Sequence, residues 1–137
     1  MSVLVDSSMT LAWILPGESS SAADAVLDRI RAENRAMLAP ELWITETANA
    51  LVSAHRRGRL TESAATRVVE VLGRLPVEID KRSIDRAALV ATALRSGLSA
   101  YDSTYLLLAA RTGSALATLD RRLSDAAGAI GVEVWGA

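Results

Sequence analysis

The sequence has no cysteine and only one histidine among its 137 residues. The lack of cysteine excludes disulfide bonds, thiolate zinc sites and a cysteine nucleophile. No apolar run approaches the ~20 residues that a membrane-spanning helix needs, so we expect no association with a membrane. The first residues show neither the basic lead nor the cleavage pattern of a signal peptide, and we therefore expect a cytoplasmic protein.

The sequence also has no excess of positive or negative charge. The chain has 15 basic and 16 acidic residues and a net charge of −1, so no overall field attracts it to nucleic acid. Any such binding must come from local patches. Lys81 is the only lysine, and every other basic residue except the histidine is an arginine, whose planar guanidinium suits bidentate contact with phosphate. A GC-rich genome would produce the same bias, and both explanations stay open.

Short apolar runs alternate with segments that carry helix start and stop signals, and the length favours one domain over residues 1–137. The expected strands are Val3–Val5, Ala36–Ala39, Val77–Ile79, Ala115–Leu119 and Val132–Val134. The expected helices are Met9–Leu15, Ser20–Arg31, Pro40–His55, Thr61–Leu72, Ile84–Arg95, Ala100–Thr112 and Arg122–Ala127.

This alternation predicts an α/β fold with a mostly parallel sheet, because parallel neighbours need a crossover connection. The carboxyl ends of parallel strands share one edge of the sheet, where ligands bind in open sheets of this kind. Asp6 follows the first strand in SVLVDSS, and Asp120 follows a later one in ALATLDRR. We expect both carboxylates at that edge.

A third acid, Glu46, lies on the predicted helix ELWITETANALVSAHR. Apolar residues surround most of the projected helix, which is typical of a buried helix, while Glu46 falls on a narrow polar stripe with Asn49 one turn away. An unpaired buried charge is too costly to tolerate. We therefore expect Glu46 to face a cleft.

The fourth acid, Asp102, lies in SAYDSTYLLLAAR, three residues after Ser99. This spacing fits a capping box, in which Asp102 does no more than close the start of its own helix. Asp6 and Asp120 could likewise be plain helix caps. Considered together, the four acids could instead converge at one edge, where two charges about 5 Å apart repel by roughly 3 kcal/mol at a dielectric near 20. Such a cluster needs protons or a hard divalent cation such as Mg²⁺ or Mn²⁺.

The four acids, in their order and settings, resemble the PIN-domain ribonuclease family and most closely its VapC-type toxin branch. The matching segments run through nearly the whole chain; they are VLVDSS, PELWITETANAL, SAYDSTYLLLA and ATLDRRL. The resemblance implies a PIN-like three-layer α/β/α sandwich with a mostly parallel central sheet.

The resemblance also implies an Mg²⁺- or Mn²⁺-dependent endoribonuclease that hydrolyses RNA phosphodiester bonds, as the toxin of a toxin–antitoxin pair that inhibits translation or growth. It implies a homodimer and a cognate VapB-type antitoxin. The implied catalytic residues are Asp6, Glu46, Asp102 and Asp120, with Asp6 and Asp102 as the main metal ligands. The implied supporting residues are Thr118, Asn49 and Ser7.

RNA must approach this negative site, and Arg111, Arg121 and Arg122 lie near the predicted edge by sequence. They are candidates for phosphate contacts, although plain surface charge explains them equally well.

Two other function classes stay open. A receiver-like module or an aspartate-nucleophile phosphatase resembles the SVLVDSS segment, but the phosphatase pattern wants a second aspartate where Ser8 stands, and both families want a pocket lysine. A PIN-like or other α/β phosphate-handling domain could also act as a non-toxin nuclease or as a binding module. Pocket chemistry, not shared fold, distinguishes these classes.

Overall fold

Five short apolar strands form one sheet in the computed structural model, which describes residues 1–137. Every neighbouring pair of strands is parallel, and the spatial order is β3-β2-β1-β4-β5. The strands are β1 (Ser2–Val5), β2 (Ala36–Pro40), β3 (Val77–Asp80), β4 (Ala115–Thr118) and β5 (Val134–Gly136).

Seven helices connect the strands and cover the sheet. They are α1 (Ser7–Ile14), α2 (Ser21–Ala32), α3 (Glu41–Arg56), α4 (Glu62–Arg74), α5 (Arg86–Ser96), α6 (Ala100–Thr112) and α7 (Arg121–Ala129). Helices α1 to α4 contact one another, and α6 contacts both α5 and α7. With right-handed crossovers, this strand order puts α1 to α4 on one face and α5 to α7 on the other. The predicted three-layer α/β/α sandwich is confirmed.

Strands β1 and β4 lie in the core, and their sequences are therefore unbroken apolar runs. Val3, Leu4 and Val5 are fully buried, and so are Leu116 and Ala117 of β4. Central parallel strands have helices over both faces, so successive residues of both strands are buried instead of alternating with exposed ones.

Most predicted element ends agree with the structure to within two residues, and two differences have a clear physical reason. The last strand begins at Val134 instead of Val132, because α7 continues to Ala129 and the chain then turns at Gly131, where φ is +81°. Helix α3 is also not buried all round, because one face packs inward while Ile44 and Val52 are 52% and 42% exposed. Scattered exposed apolar side chains are normal on a protein surface.

The strand order fixes where a site can form. From β1 the chain moves outward through β2 to β3, then returns to the other side of β1 as β4. The order therefore reverses between β1 and β4, and crevices for ligands open at the carboxyl ends of strands at such a point. No helix of the protein is both long enough and apolar enough to cross a membrane.

Candidate active site

Asp6 directly follows β1 at the reversal point and is only 4% exposed. It caps α1, because its Oδ1 accepts a 2.9 Å hydrogen bond from the Met9 amide. The Ser8 hydroxyl donates to Oδ1 and Oδ2 at 2.7 and 2.9 Å, and the Thr118 hydroxyl donates to Oδ2. The cap interpretation of Asp6 is thus confirmed, and it coexists with a position at the carboxyl end of β1.

Burial raises the pKa of Asp6 to about 6, even though hydrogen bonds from Thr118, Met9 and Ser8 work in the opposite direction. The negative charge of Asp120 adds to the rise. Desolvation therefore dominates over hydrogen bonding at this carboxyl, and a nearby positive charge would favour its ionised form.

Asp120 lies beyond β4, on the neighbouring strand to Asp6. It caps α7, since its Oδ1 accepts hydrogen bonds of 2.9 and 3.1 Å from the amides of Arg122 and Leu123. Both bonds go to Oδ1, so Oδ2 takes no part in the cap. The Asp120 amide donates at 3.0 Å to the hydroxyl of Thr118, which is the residue that donates to Asp6. Thr118 therefore joins the two strand ends.

Glu46 extends from α3 and is partly buried. Its Oε1 accepts a 2.6 Å hydrogen bond from the hydroxyl of Tyr105 on α6. Burial raises the pKa of Glu46 and the charge of Asp102 raises it further, while contacts with the hydroxyls of Tyr105 and Ser7 lower it. Asn49, predicted to support Glu46, is exposed on the same helix.

Asp102 lies in the first turn of α6, where its amide donates to the Ser99 hydroxyl at 3.1 Å. The predicted capping interaction is thus present from the Ser99 side. Burial raises the pKa of Asp102, the charge of Asp120 adds to the rise, and the charge of Arg122 lowers it.

The four acids form a chain of electrostatic neighbours. The charge of Asp120 raises the pKa values of Asp6 and Asp102, and the charge of Asp102 raises the pKa of Glu46. None of them takes part in the ion pairs of the protein, which are Arg29–Glu33, Arg29–Glu133, Arg35–Glu33 and Arg82–Asp80. In this conformation no three acidic or histidine side chains converge closely enough to hold one metal ion. The expected convergence is thus a shared neighbourhood of carboxylates, looser than a closed cage.

The sequence reasoning missed two residues that organise this site. Ser8 not only donates to Asp6 but also accepts a 3.0 Å hydrogen bond from the Leu119 amide, which ties the start of α1 to the end of β4. Tyr105 is 1% exposed and holds Glu46. Its position three residues after Asp102 puts both on one side of α6, and a buried tyrosine hydroxyl needs a partner; these two facts could have identified it.

The three candidate arginines are placed differently. Arg122 lies at the acids, where its guanidinium donates to the Gly97 carbonyl at 2.8 Å and acts on Asp102. Arg121 is exposed at the start of α7. Arg111 lies about 13 Å further along α6 than Asp102, at the usual rise of 1.5 Å per residue. Its guanidinium donates to the Ser83 carbonyl at 3.3 Å, and it lines a pocket with Pro40 and Asp80, the last residues of β2 and β3.

A groove of about 700 Å³ opens beside the acids, between α1, the second half of α3 and the residue that precedes Asp120. Ser8 lines the end nearest Asp6, and Leu11 and Leu15 form part of an apolar wall. Arg57, Arg59 and Glu18 also line it. The groove thus combines apolar surface with a net positive charge next to a negative site.

Comparison with known proteins gives the family. The model of the PIN domain family matches residues 3–129. Ribonuclease VapC3 of Pyrobaculum aerophilum is 32% identical over 127 residues, which cover 91% of this chain and 94% of that protein.

Solved structures agree with this fold. The crystal structure of PAE2754 from Pyrobaculum aerophilum superposes with a TM-score of 0.72 at 27% identity, covering 98% of this chain and 83% of that one. FitAcB from Neisseria gonorrhoeae gives a TM-score of 0.69 at 17% identity, over 97% and 96% of the two chains. Mycobacterium tuberculosis VapC20, described as a toxin that cleaves the sarcin-ricin loop, gives 0.60 at 18% identity, over 91% and 95%. The chain therefore belongs to the PIN-domain family, in its VapC-type branch.

Proposed function

We propose that this chain is a divalent-metal-dependent endoribonuclease that acts in the cytoplasm as the toxin of a toxin–antitoxin pair, with residues 1–137 as one catalytic domain. The observation that carries the proposal is the group of acids at the reversal point of the sheet, none of which has a cationic partner in an ion pair. Membership of a family that includes Ribonuclease VapC3 supports the same activity.

The donor set fits Mg²⁺ or Mn²⁺, because the four acids offer only oxygen atoms, which these hard cations prefer. Asp6 and Asp102 would be the main ligands, with Glu46 and Asp120 completing the site directly or through water. Once bound, such an ion supplies a water of lowered pKa and offsets charge on the reacting phosphate.

The other residues of the chain hold these carboxylates in place. Ser8, Thr118 and the Met9 amide together bond to both oxygens of Asp6, so its carboxyl plane is fixed. Asp120 is fixed through its cap bonds, which use only one of its oxygens. A site whose ligands are already oriented spends little free energy on ordering them when the ion and the substrate bind.

The RNA backbone would enter past Arg122 and Arg121, which stand at the start of α7 next to Asp120. Arg122 is the stronger candidate because its charge already acts on Asp102. A guanidinium at this position can bind a phosphate next to the one that is cleaved.

Purified protein and a mixed-sequence RNA test the nuclease proposal directly. We expect cleavage with Mg²⁺ or Mn²⁺, loss of cleavage with EDTA, and recovery when the metal is returned in excess. Cleavage that persists in EDTA would overturn the metal-dependent mechanism. RNA binding with no cleavage under any metal condition would favour a binding module instead.

We further propose a homodimer and a VapB-type antitoxin as protein partners. The groove beside the acids suits an antitoxin segment, because Leu11 and Leu15 can receive apolar side chains while an arginine of the segment reaches the acids past Ser8. Such an arginine would offset the charges that the chain itself leaves unpaired.

Growth and binding measurements test the antitoxin, and sedimentation equilibrium of the chain alone tests the homodimer. Expression of the chain alone should stop growth, and co-expression of an adjacent small reading frame with an arginine-bearing tail should restore it. In the purified toxin–antitoxin complex, a bulky Leu11→Trp substitution in the groove should weaken binding of the antitoxin. Val69→Trp, at an exposed position on α4, is the control and should leave binding unchanged. Normal growth on expression would count against the toxin role.

A further inference from the structure

Tyr105 is a large, fully buried side chain whose only polar atom is directed at an acid of the site. Its ring is 1% exposed, and its hydroxyl donates to Glu46 Oε1 at 2.6 Å across 59 residues of sequence. A ring packed this tightly cannot reorient without opening the core. The direction of its hydroxyl is therefore fixed by the fold, and the partner oxygen is fixed with it.

Tyr105 also lies among the other functional side chains. The charge of Asp6 raises its pKa, and the Ser7 hydroxyl lowers the pKa values of both Tyr105 and Glu46. Because α6 carries Asp102 as well, one helix sets the positions of Asp102 and, through Tyr105, of Glu46. An ordinary tyrosine hydroxyl keeps its proton at neutral pH, so Tyr105 remains a hydrogen-bond donor to Glu46.

Glu46 needs such a partner more than Asp6 and Asp120 do. Asp6 and Asp120 each cap a helix, where backbone amides donate to their carboxylates, and Asp102 lies in the first turn of α6 on a shorter side chain than that of Glu46. Glu46 lies inside α3 on a longer side chain with no backbone amide free to bind it. Without a donor from elsewhere its carboxylate would sample several rotamers.

We propose that Tyr105 is a positioning residue of the metal centre, whose buried hydroxyl holds Glu46 at a set distance from Asp6 and Asp102. This inference rests on the proposed ribonuclease function and adds to it a residue outside the acid set. Tyr105 touches neither metal nor RNA. Tyr105 therefore affects metal binding only by positioning Glu46. Removing the Glu46 carboxylate should then remove the effect of Tyr105 as well.

The test compares wild type, Tyr105→Phe, Glu46→Gln and the double variant in full-length protein. Tyr101→Phe is the matched control, because Tyr101 lies on the same helix but is 66% exposed. Calorimetric titration of RNA-free protein with Mn²⁺ should show affinity on the order of tenfold weaker for Tyr105→Phe, the size expected when a partner of a metal ligand is lost. The kcat at saturating Mn²⁺ should fall while KM for RNA stays unchanged.

The double variant separates positioning from plain core packing. If Tyr105 acts through Glu46, Tyr105→Phe should cause no further loss of Mn²⁺ affinity in the Glu46→Gln background. Wild-type Mn²⁺ affinity in Tyr105→Phe, or an equal loss in both backgrounds, would overturn the inference. If wild type itself neither binds Mn²⁺ nor cleaves RNA, the proposed function falls and the role of Tyr105 falls with it.

A spectroscopic measurement covers the case in which Tyr105→Phe does not fold. The chain has 2 tyrosines, so Tyr101→Phe protein labelled with ¹³Cζ-tyrosine gives a single resonance from Tyr105. Saturation with diamagnetic Mg²⁺ should shift this resonance, and Glu46→Gln should abolish the shift. A resonance that does not respond to Mg²⁺ while the protein cleaves RNA would overturn the inference.

Discussion

Thr118, the last residue of β4, donates its hydroxyl hydrogen bond to Asp6, which directly follows β1. The same hydroxyl oxygen accepts from the Asp120 amide at 3.0 Å. One threonine therefore connects the first and last of the four site acids, across the two strands where the sheet order reverses. The spacing of Asp6 and Asp120 depends on a side chain that carries no charge and need not touch the metal.

Thr118→Val tests this relationship, because valine keeps the shape and removes the hydroxyl. We expect the free energy of unfolding to fall by about 2 kcal/mol, since a buried carboxylate and an amide each lose a partner. Mn²⁺ affinity should fall on the order of tenfold. Chemical denaturation and calorimetry measure the two effects.

The control for this variant is Thr47→Val. Thr47 is also buried, but its hydroxyl binds only carbonyls of its own helix. The Thr47→Val substitution should leave Mn²⁺ affinity unchanged. Equal effects of the two variants on metal binding would contradict the bridging role of Thr118.

Asp6→Asn should abolish RNA cleavage while leaving metal-free stability at pH 8 equal or higher. The reason is that burial disfavours the charged form of Asp6, whose pKa is raised to about 6. Cleavage assays and thermal unfolding in EDTA check both parts. Asp125→Asn, at an exposed position on α7, is the control and should change neither. A sharply lowered melting temperature of Asp6→Asn would show that the helix cap outweighs the charge.

Stability should depend on pH in a direction set by the same residue. The pKa of Asp6 rises from 3.8 to about 6 on folding, so between these values the folded state holds a proton that the unfolded state has released. The free energy of unfolding therefore falls as pH rises through this window, by at most about 3 kcal/mol for one group. Glu46 and Asp102 also have raised pKa values and add in the same direction.

Urea unfolding in EDTA from pH 4 to pH 7 measures this slope. Asp6→Asn removes only the contribution of Asp6, so the difference between wild type and variant isolates it from the other acids. We expect the variant to gain stability relative to wild type as pH rises. Parallel pH profiles for the two proteins would contradict the assignment.

The fold was predictable because its information is local. Apolar runs such as Val3–Val5 and stop residues such as Gly113 fix strands and helices within a few residues of sequence. The end of α7 was harder, since the run from Arg122 to Ala127 gives no sharp stop and the helix continues to Ala129. The final strand was displaced for that reason.

The acids were predictable and the family resemblance implied Thr118 as a support, but Ser8 and Tyr105 were not foreseen. Asp6 and Asp120 are apparent in sequence because a carboxylate after an apolar strand is unusual, whereas Ser8 and Tyr105 look like any hydroxyl near a helix start. Their roles arise from contacts across many residues, as in the bond from Tyr105 to Glu46. Arg111 lies away from Asp102, although both are on α6, because a helix rises about 1.5 Å per residue.

The arginines give the last prediction, which concerns how RNA binds. Arg122→Ala should weaken RNA binding several-fold and reduce the slope of log affinity against log salt by about 1, because one phosphate contact is lost. Arg111→Ala should change neither quantity, since Arg111 is engaged at Ser83 away from the acids. Fluorescence anisotropy with labelled RNA at several salt concentrations measures both, in an Asp6→Asn background that does not cleave the probe. If Arg111→Ala weakened binding as much as Arg122→Ala, the RNA path would have to run along α6 instead of past the start of α7.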